Sequence, residues 1–302
     1  MTDEPKSEPY KHQGRTIRAE IETSATPQQA WEAWADPEKI AHWFVDRASG
    51  EAKPGGAMTW FFDEFGYVLP YKVVDATPGK LFVLKWEASP GMPAGILEVT
   101  IERKGGVTHV RLVNSGFRED AAWNDEYEGV VSGWKMSLAI LKYYLENHFG
   151  RAKTALLVMR PASFSYEQLH EYFVDASKLG LWLTQSGAIG KAGEACRLEL
   201  RGGKEALAQT LTGRVLADTG REVTVSWDEI GGTLECKGFA MGPQRVAGVR
   251  CMSWNLTPEK KKLLEAQLNG AVERLAALLP VAAAAGVSEP VKGRTSPFAT
   301  EQ

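Results

Sequence analysis

The sequence is poor in cysteine and lacks the segments that mark secreted, membrane-spanning or nucleic-acid-binding proteins. It has three cysteines in 302 residues, and an odd number without an apolar leader favours reduced, buried thiols in a cytoplasmic protein. The N-terminus is polar, so no secretory signal is expected. The longest low-charge stretch, residues 275–287, is too short to span a bilayer and contains Pro280. The formal net charge is −3 and no basic run is present, which argues against nucleic acid and membrane as partners.

The usual catalytic and cofactor motifs are also missing. The five histidines are scattered, and no pair has a metal-ligand spacing such as HExxH. Two of them, His42 and His148, are expected on helix surfaces. No GxSxG elbow, no GxGxxG after a strand and no Walker loop occurs. We therefore expect no metal, no cofactor and no catalytic residue of a familiar constellation.

The chain contains one strongly patterned helix near its middle. Residues 133–145, GWKMSLAILKYYL, place apolar side chains three and four positions apart. This stripe consists of Trp134, Leu138, Leu141 and Leu145. Acidic residues precede it, as the positive end of a helix dipole favours, and Gly150 is a candidate C-cap. A helix of this kind needs a sheet against which to bury its stripe.

The same helix pattern and other markers recur in the second half. The GxxxxLAxL pattern of residues 133–141 returns at 270–278. Earlier in each half, DPEKIAHWF at 36–44 corresponds to DASKLGLWL at 175–183. Between these markers, GKLFVLKW is matched by GREVTVSW, again in the same order. Collinear matches of this kind indicate an internal duplication.

Hydrophobic periodicity predicts the same order of elements in each half: a strand, two short helices, about five or six antiparallel strands and a long helix. The fold class is therefore α+β, with tandem domains at residues 15–150 and 151–280. The polar residues 1–14 and the Ala/Pro/Ser/Gly-rich residues 281–302 are predicted to be disordered.

Three segments carry a resemblance to a known family. PEKIAHWF after the first helix, PGKLFVLKW and GWKMSLAILKYYL resemble the START-like (SRPBCC) helix-grip superfamily. Within it they are most similar to the AHSA1-like (activator of Hsp90 ATPase homologue) group. The resemblance covers residues 16–150 well and residues 153–279 more weakly. It implies a curved antiparallel sheet that grips its C-terminal helix, with a cavity between them.

The first half is rich in aromatic side chains, and the chain has ten tryptophans. They are consistent with a Trp-rich core, or with an apolar pocket that uses the polar tips of Trp and Tyr. Strand alternation places Asn114 on the face that meets the helix, and places His109, Arg111, Glu98 and Glu102 on the other face. The inner face thus has few ionisable groups and no evident carboxylate or histidine. The predicted ligand-binding residues are Trp60, Phe62, Tyr71, Trp86, Asn114, Trp123, Tyr127 and Trp134.

Three functions remain open at this point. The first is binding of a hydrophobic or aromatic small molecule, mainly in the first domain, without turnover. The second is a cyclase/aromatase-like or hydrolase-like enzyme, a type that the superfamily contains; it would draw on Asn114, Tyr71 or Tyr127. The third is an Hsp90-type co-chaperone, which only the name of the group suggests. Against it, a second START-like repeat stands where the eukaryotic activators have a different domain.

Overall fold

The computed structural model describes residues 10–89, 93–202, 206–241 and 244–281. Both halves contain the expected order of elements. In the first half they are β1 (Arg15–Thr23), α1 (Pro27–Ala35), α2 (Pro37–Ala41), β2 (Arg47–Gly50), β3 (Ala57–Phe62), β4 (Tyr67–Thr77), β5 (Leu81–Trp86), β6 (Gly95–Lys104), β7 (Val107–Phe117) and α3 (Asn124–Asn147). In the second half they are β8 (Thr154–Pro161), α4 (Tyr166–Val174), α5 (Ala176–Trp182), β9 (Thr184–Ser186), β10 (Ala195–Leu200), β11 (Thr210–Asp218), β12 (Val223–Trp227), β13 (Gly232–Met241), β14 (Gln244–Ser253) and α6 (Pro258–Leu278).

Within the described residues the strands form two curled antiparallel sheets of seven strands each. The first has the order β1-β7-β6-β5-β4-β3-β2 and the second β8-β14-β13-β12-β11-β10-β9, so their topologies are the same. Each sheet wraps around the long helix of its own half. The predicted α+β fold with two tandem helix-grip domains is confirmed. The stretches 1–9 and 282–302, which the sequence predicts to be disordered, lie outside the described residues.

The pair of short helices is held in the same way in both domains. In the first, the indole Nε1 of Trp43 donates to the backbone oxygen of Ala33 at 2.8 Å. In the second, Nε1 of Trp182 donates to the backbone oxygen of Tyr172, also at 2.8 Å. Both tryptophans are fully buried, where an indole N–H needs a partner. The tryptophan that recurs in the two copies of the repeat therefore makes the same kind of hydrogen bond in each domain.

The outer face of the second sheet packs against the first domain. On its inner face, Leu234 and Cys251 belong to the core of the second domain. On its outer face, Met252 in β14 and Trp254 just after it belong to the core cluster of the first domain. The indole Nε1 of Trp254 donates to the backbone oxygen of His42 at 2.8 Å. Strands β13 and β14 are thus buried on both faces, like the strands of a central layer.

Helix α3 lies between the two sheets. Leu141 on one side belongs to the core that α3 shares with its own sheet. On another side, the hydroxyl of Thr224 in β12 donates to the Met136 sulfur at 3.5 Å. The hydroxyl of Ser132 donates to Glu222 Oε2 at 3.1 Å. The helix therefore buries a polar stripe as well as the apolar one that the sequence predicts.

Two histidines differ from the prediction. His42 and His148 were expected on helix surfaces, but each is only 7% exposed. Trp254 covers them both: its ring stacks on His148 with centroids 4.6 Å apart and planes 11° apart, and its N–H bonds to the His42 carbonyl. The covering residue comes from the other domain, so local periodicity could not reveal it.

Residues 10–14 fall in the stretch predicted to be disordered, yet they lie against the outer face of the first sheet. The Tyr10 hydroxyl donates to Asp75 Oδ2 at 3.1 Å. The Nε2 atom of His12 lies 3.2 Å from Glu98 Oε2. Glu98 is only 1% exposed, and a buried carboxylate needs polar partners. Tyr10 and His12 are therefore polar because they bond to polar side chains of the sheet, and not because they face solvent.

The contact of Trp254 with both domains gives a prediction on stability. Replacing Trp254, which is 6% exposed, by Ala should lower the free energy of unfolding by about 3–5 kcal/mol, because it removes a large buried side chain. Urea denaturation of the full chain measures the loss. Leu181→Ala is the control, since Leu181 is 51% exposed and should change stability by less than about 0.5 kcal/mol. Equal effects of the two substitutions would contradict this account of the domain contact.

The buried His148 gives a second prediction, on pH. Within the described residues neither ring nitrogen has a hydrogen-bond partner, and burial, with a contribution from Arg151, lowers the pKa of His148 from 6.5 to about 4. As pH falls through this window, the unfolded chain binds a proton that the folded chain does not. The free energy of unfolding should therefore fall by up to about 3 kcal/mol.

Urea denaturation at several pH values between 7 and 4 tests this. His148→Phe keeps a flat ring against Trp254 and removes the titration, so its stability should depend less on pH. His109→Phe, at a position with a 38% exposed side chain, is the matched control and should keep the pH dependence of the original chain. Parallel curves for the original chain and His148→Phe would show that His148 is not responsible.

Candidate functional site

A cavity of ≈ 280 Å³ lies between the concave face of the first sheet and α3. Its wall is mostly aromatic. The aromatic lining residues are Trp43, Phe44, Trp60, Phe62, Phe65, Tyr67, Tyr71, Trp86, Phe117, Trp123 and Trp134. Aliphatic side chains, among them Leu97 from β6 and Ile140 from α3, fill the intervals between them. Such a wall offers a large apolar surface with few polar tips.

Phe44 lies at the centre of the aromatic cluster. Its ring stacks on Trp134 at 5.4 Å between centroids. It makes edge-on contacts with Trp60 at 5.6 Å and with Phe62 at 5.5 Å. Trp60 and Phe62 point inward together because alternate residues of β3 share one face. Phe44 was not among the predicted site residues, although its position directly after a buried Trp in PEKIAHWF could have drawn attention to it.

Asn114 holds Trp134 in place. The indole Nε1 of Trp134 donates to Asn114 Oδ1 at 2.8 Å. The Nδ2 of Asn114 donates to the backbone oxygen of Ile96 at 3.3 Å, which fixes the amide to the neighbouring strand. Asn114 lines the cavity on the helix-facing side, where strand alternation places it, and is only 5% exposed. Much of its hydrogen-bonding capacity is therefore already used to orient an aromatic wall.

The structure brings seven of the eight predicted site residues together around this cavity. They are Trp60, Phe62, Tyr71, Trp86, Asn114, Trp123 and Trp134. Tyr127 lies outside the lining: its hydroxyl donates to the backbone oxygen of Thr16 at 3.1 Å, and the Arg15 guanidinium carbon lies 3.7 Å from its ring centroid. Tyr127 thus joins α3 to β1. That the other seven contact a ligand stays a prediction.

A carboxyl group does line the cavity, contrary to the expectation from strand alternation. Glu126 of α3 is part of the wall, and burial, reinforced by the nearby Asp125, raises its pKa. Glu126 precedes Val130 by four positions and Trp134 by eight, so the three share one helix face. The prediction was drawn from the strands alone and did not include α3. Extending the Trp134 stripe back by two turns would have found this residue.

The second domain supplies one end of the cavity. Glu235 and Lys237 of β13 and Arg250 of β14 are part of the lining. The Lys237 Nζ lies 3.3 Å from Glu235 Oε2. The Arg250 Nε donates to Glu64 Oε2 at 3.0 Å, and Glu64 belongs to the first domain. The sequence predicted few ionisable groups on the inner face of the first sheet, and these three come instead from the second domain. The sequence of β13 and β14 gave no sign that their outer face meets another domain.

These buried charges stabilise one another. Burial alone would lower the pKa of Lys237, but the carboxylates of Glu235 and Glu222 outweigh it, and the pKa is raised. Burial likewise opposes the charge of Arg250, and Glu235 and Glu64 outweigh it, so its pKa is raised too. Both cations therefore keep their charge next to an apolar cavity. An ionic group beside aromatic walls can orient a ligand that the walls alone would hold loosely.

Among the described residues, no group of three or more His, Cys, Asp or Glu side chains could hold a metal ion. Cys196, Cys236 and Cys251 are free and buried, and burial raises the pKa of Cys196 to about 11, which suppresses the reactive thiolate. No helix in the described part of the chain combines the length and apolar character that a bilayer crossing requires.

Comparison with solved structures finds proteins with limited similarity. MLL2253 from Mesorhizobium loti is 26% identical over 42% of this chain and 94% of its own, with a TM-score of 0.39. The Aha1 dimer from Colwellia psychrerythraea is 22% identical over 44% of this chain and 96% of its own, with a TM-score of 0.39. DynU16, a protein of the dynemicin biosynthetic locus, is 16% identical over 87% of this chain and 98% of its own, with a TM-score of 0.39.

A search of curated proteins found no match. A family model described as Activator of Hsp90 ATPase homolog 1-like protein matches residues 24–146. That range contains α1, α2, strands β2 to β7 and nearly all of α3, and so most of the cavity wall. Over residues 24–146 this chain is therefore similar to the Activator of Hsp90 ATPase homolog 1-like family.

Proposed function

We propose that the protein binds a hydrophobic or aromatic small molecule in the cavity between the first sheet and α3. The observation that carries this proposal is the cavity of ≈ 280 Å³ with its predominantly aromatic wall. Ligand pockets are typically about 300–1,000 Å³, so the volume suits a compact molecule of two or three fused rings. Flat ring systems can stack on or meet the edges of the surrounding aromatic side chains.

The proposal assigns binding to the first domain because α3 lines a cavity there, whereas the equivalent stretch of α6 is buried in the apolar core of the second domain. The repeat aligns Trp134 with Ala271, which is 2% exposed within the apolar core. Leu268 and Val272 flank it on α6 and are also buried in that core. We infer that the halves derive from an internal duplication after which one copy kept an open interior. The other copy became packed and forms a wall of the first.

An enzymatic role is the second candidate, and Glu126 is the observation that favours it. A carboxyl group whose pKa is raised by burial in a cavity is suited to general acid–base catalysis. Tyr71, by contrast, has its pKa raised by burial, so it stays a neutral phenol that can donate a hydrogen bond but cannot act as a base near neutrality. A cyclase-like or hydrolase-like reaction would therefore depend on Glu126.

A co-chaperone role is supported only by the family description, which refers to the Hsp90 ATPase. The outer face of the second sheet, which could have offered a partner surface, is buried against the first domain through Met252 and Trp254. Binding of a small molecule accounts for the cavity, whereas a chaperone contact does not. We therefore favour the small molecule.

The role of Trp134 can be tested by comparison with a packed tryptophan. Trp34 is fully buried in the same domain, and Trp34→Ala should lower the free energy of unfolding by about 3–5 kcal/mol. Trp134 is half-buried at the cavity wall, so Trp134→Ala should cost less in urea denaturation. It should nevertheless change the affinity for an apolar fluorescent probe. An equal loss of stability with unchanged probe binding would assign Trp134 to the core instead.

The binding proposal itself is tested with a panel of aromatic polyketide-like and fatty compounds. We expect mass spectrometry to recover a bound compound chemically unchanged. Titration calorimetry at several temperatures should give a negative heat-capacity change, the mark of apolar burial, with little salt dependence.

The same panel separates binding from catalysis. An altered product that is lost in Glu126→Gln, but not in the exposed control Glu128→Gln, would favour the enzyme. If no compound of the panel binds and none co-purifies in native mass spectrometry, the binding proposal is wrong.

A further inference from the structure

The charged end of the cavity contains a buried acceptor that makes no hydrogen bond to the described residues. Glu235 is 2% exposed and lines the cavity. Its Oε2 is paired with Lys237 Nζ at 3.3 Å. Within the described residues its Oε1 is buried and has no hydrogen-bond partner, and Arg250 Nη1 is 3.8 Å away, beyond hydrogen-bonding distance. Buried carboxylate oxygens are rarely left unpaired, because desolvation without a donor is costly.

The neighbouring cations are already paired with carboxylates. Arg250 donates through Nε to Glu64 Oε2 at 3.0 Å and through Nη2 to the backbone oxygen of Phe44 at 3.4 Å. Lys237 is paired with the other oxygen of Glu235. Each positive charge thus has a carboxylate beside it, and the buried side-chain oxygen left without a hydrogen bond in the described part of the chain, Glu235 Oε1, is an acceptor. A ligand that enters this end should bring a hydrogen-bond donor rather than a negative charge.

The geometry points to a composite site in which Glu235 of the second domain accepts a hydrogen bond from a hydroxyl group on the aromatic ligand. This inference rests on the proposed function, since the apolar body of that ligand occupies the aromatic cavity of the first domain. The ligand class is then a neutral hydroxylated polycyclic aromatic compound. Simple hydrocarbons and aromatic carboxylates of the same size should bind less well.

The test measures the affinity of the full chain for four matched probes at neutral pH: naphthalene, 2-naphthol, 2-methoxynaphthalene and 2-naphthoate. We expect 2-naphthol to bind about tenfold more tightly than 2-methoxynaphthalene, as one hydrogen bond to a charged acceptor provides. Glu235→Gln should reduce this preference several-fold, measured as the ratio of the affinities for 2-naphthol and 2-methoxynaphthalene. Glu222→Gln is the matched control, because Glu222 is also buried but bonds to Ser132; it should keep the preference.

The outcomes separate this inference from the proposed function. If naphthalene and 2-methoxynaphthalene bind as well as 2-naphthol, the cavity binds aromatics but Glu235 does not select a hydroxyl group, and the inference is overturned. If 2-naphthoate binds most tightly, Lys237 and Arg250 recognise an anion, and the inference is again overturned. If none of the four probes binds, the inference is overturned, while the proposed function is decided separately by the compound panel and native mass spectrometry. The probe comparison uses the unaltered chain, so it decides the matter even if Glu235→Gln does not fold.

Discussion

The burial of α3 between two sheets is the constraint on which the rest of the structure depends. One face of the helix closes the first sheet, as in any helix-grip domain. A second face, through Ser132 and Met136, meets the outer surface of the second sheet. Domains joined by a flexible linker usually share a smaller and more polar contact. Here the second domain contributes Trp254 to the first core, and residues of both domains line one cavity.

Equivalent positions on the long helices of the two halves carry side chains of very different size. Trp134 has a large side chain, and Asn114 holds it at the cavity wall through a hydrogen bond of 2.8 Å. A side chain held in this way can leave space between the helix and the sheet. A small side chain at the equivalent Ala271 allows close packing without a void. The helix position that lines the cavity as Trp134 in the first domain is thus a core position, Ala271, in the second.

The sequence predicts well those features that arise within one domain. The stripe around Trp134 and the alternation that places Asn114 inward depend only on helix and strand periods. The helix period also places Glu126 on the same face as Trp134, but the prediction of few ionisable groups was drawn from the strands alone. The burial of His148 and the position of Glu235 at the cavity could not be predicted, because both depend on a contact between domains. An alternating polar face in a strand normally indicates solvent, and no local pattern distinguishes it from a face that covers another domain.

The charges at the cavity end show how this contact is kept in register. Apolar surfaces can slide over one another at little cost, because the hydrophobic effect has no direction. The pair between Glu64 of the first domain and Arg250 of the second, at 3.0 Å, does not tolerate such a displacement. Both side chains are largely buried, and separating them would leave an unpaired charge away from water. Apolar packing thus holds the domains together, while the ion pair fixes which residues of the second domain face the cavity.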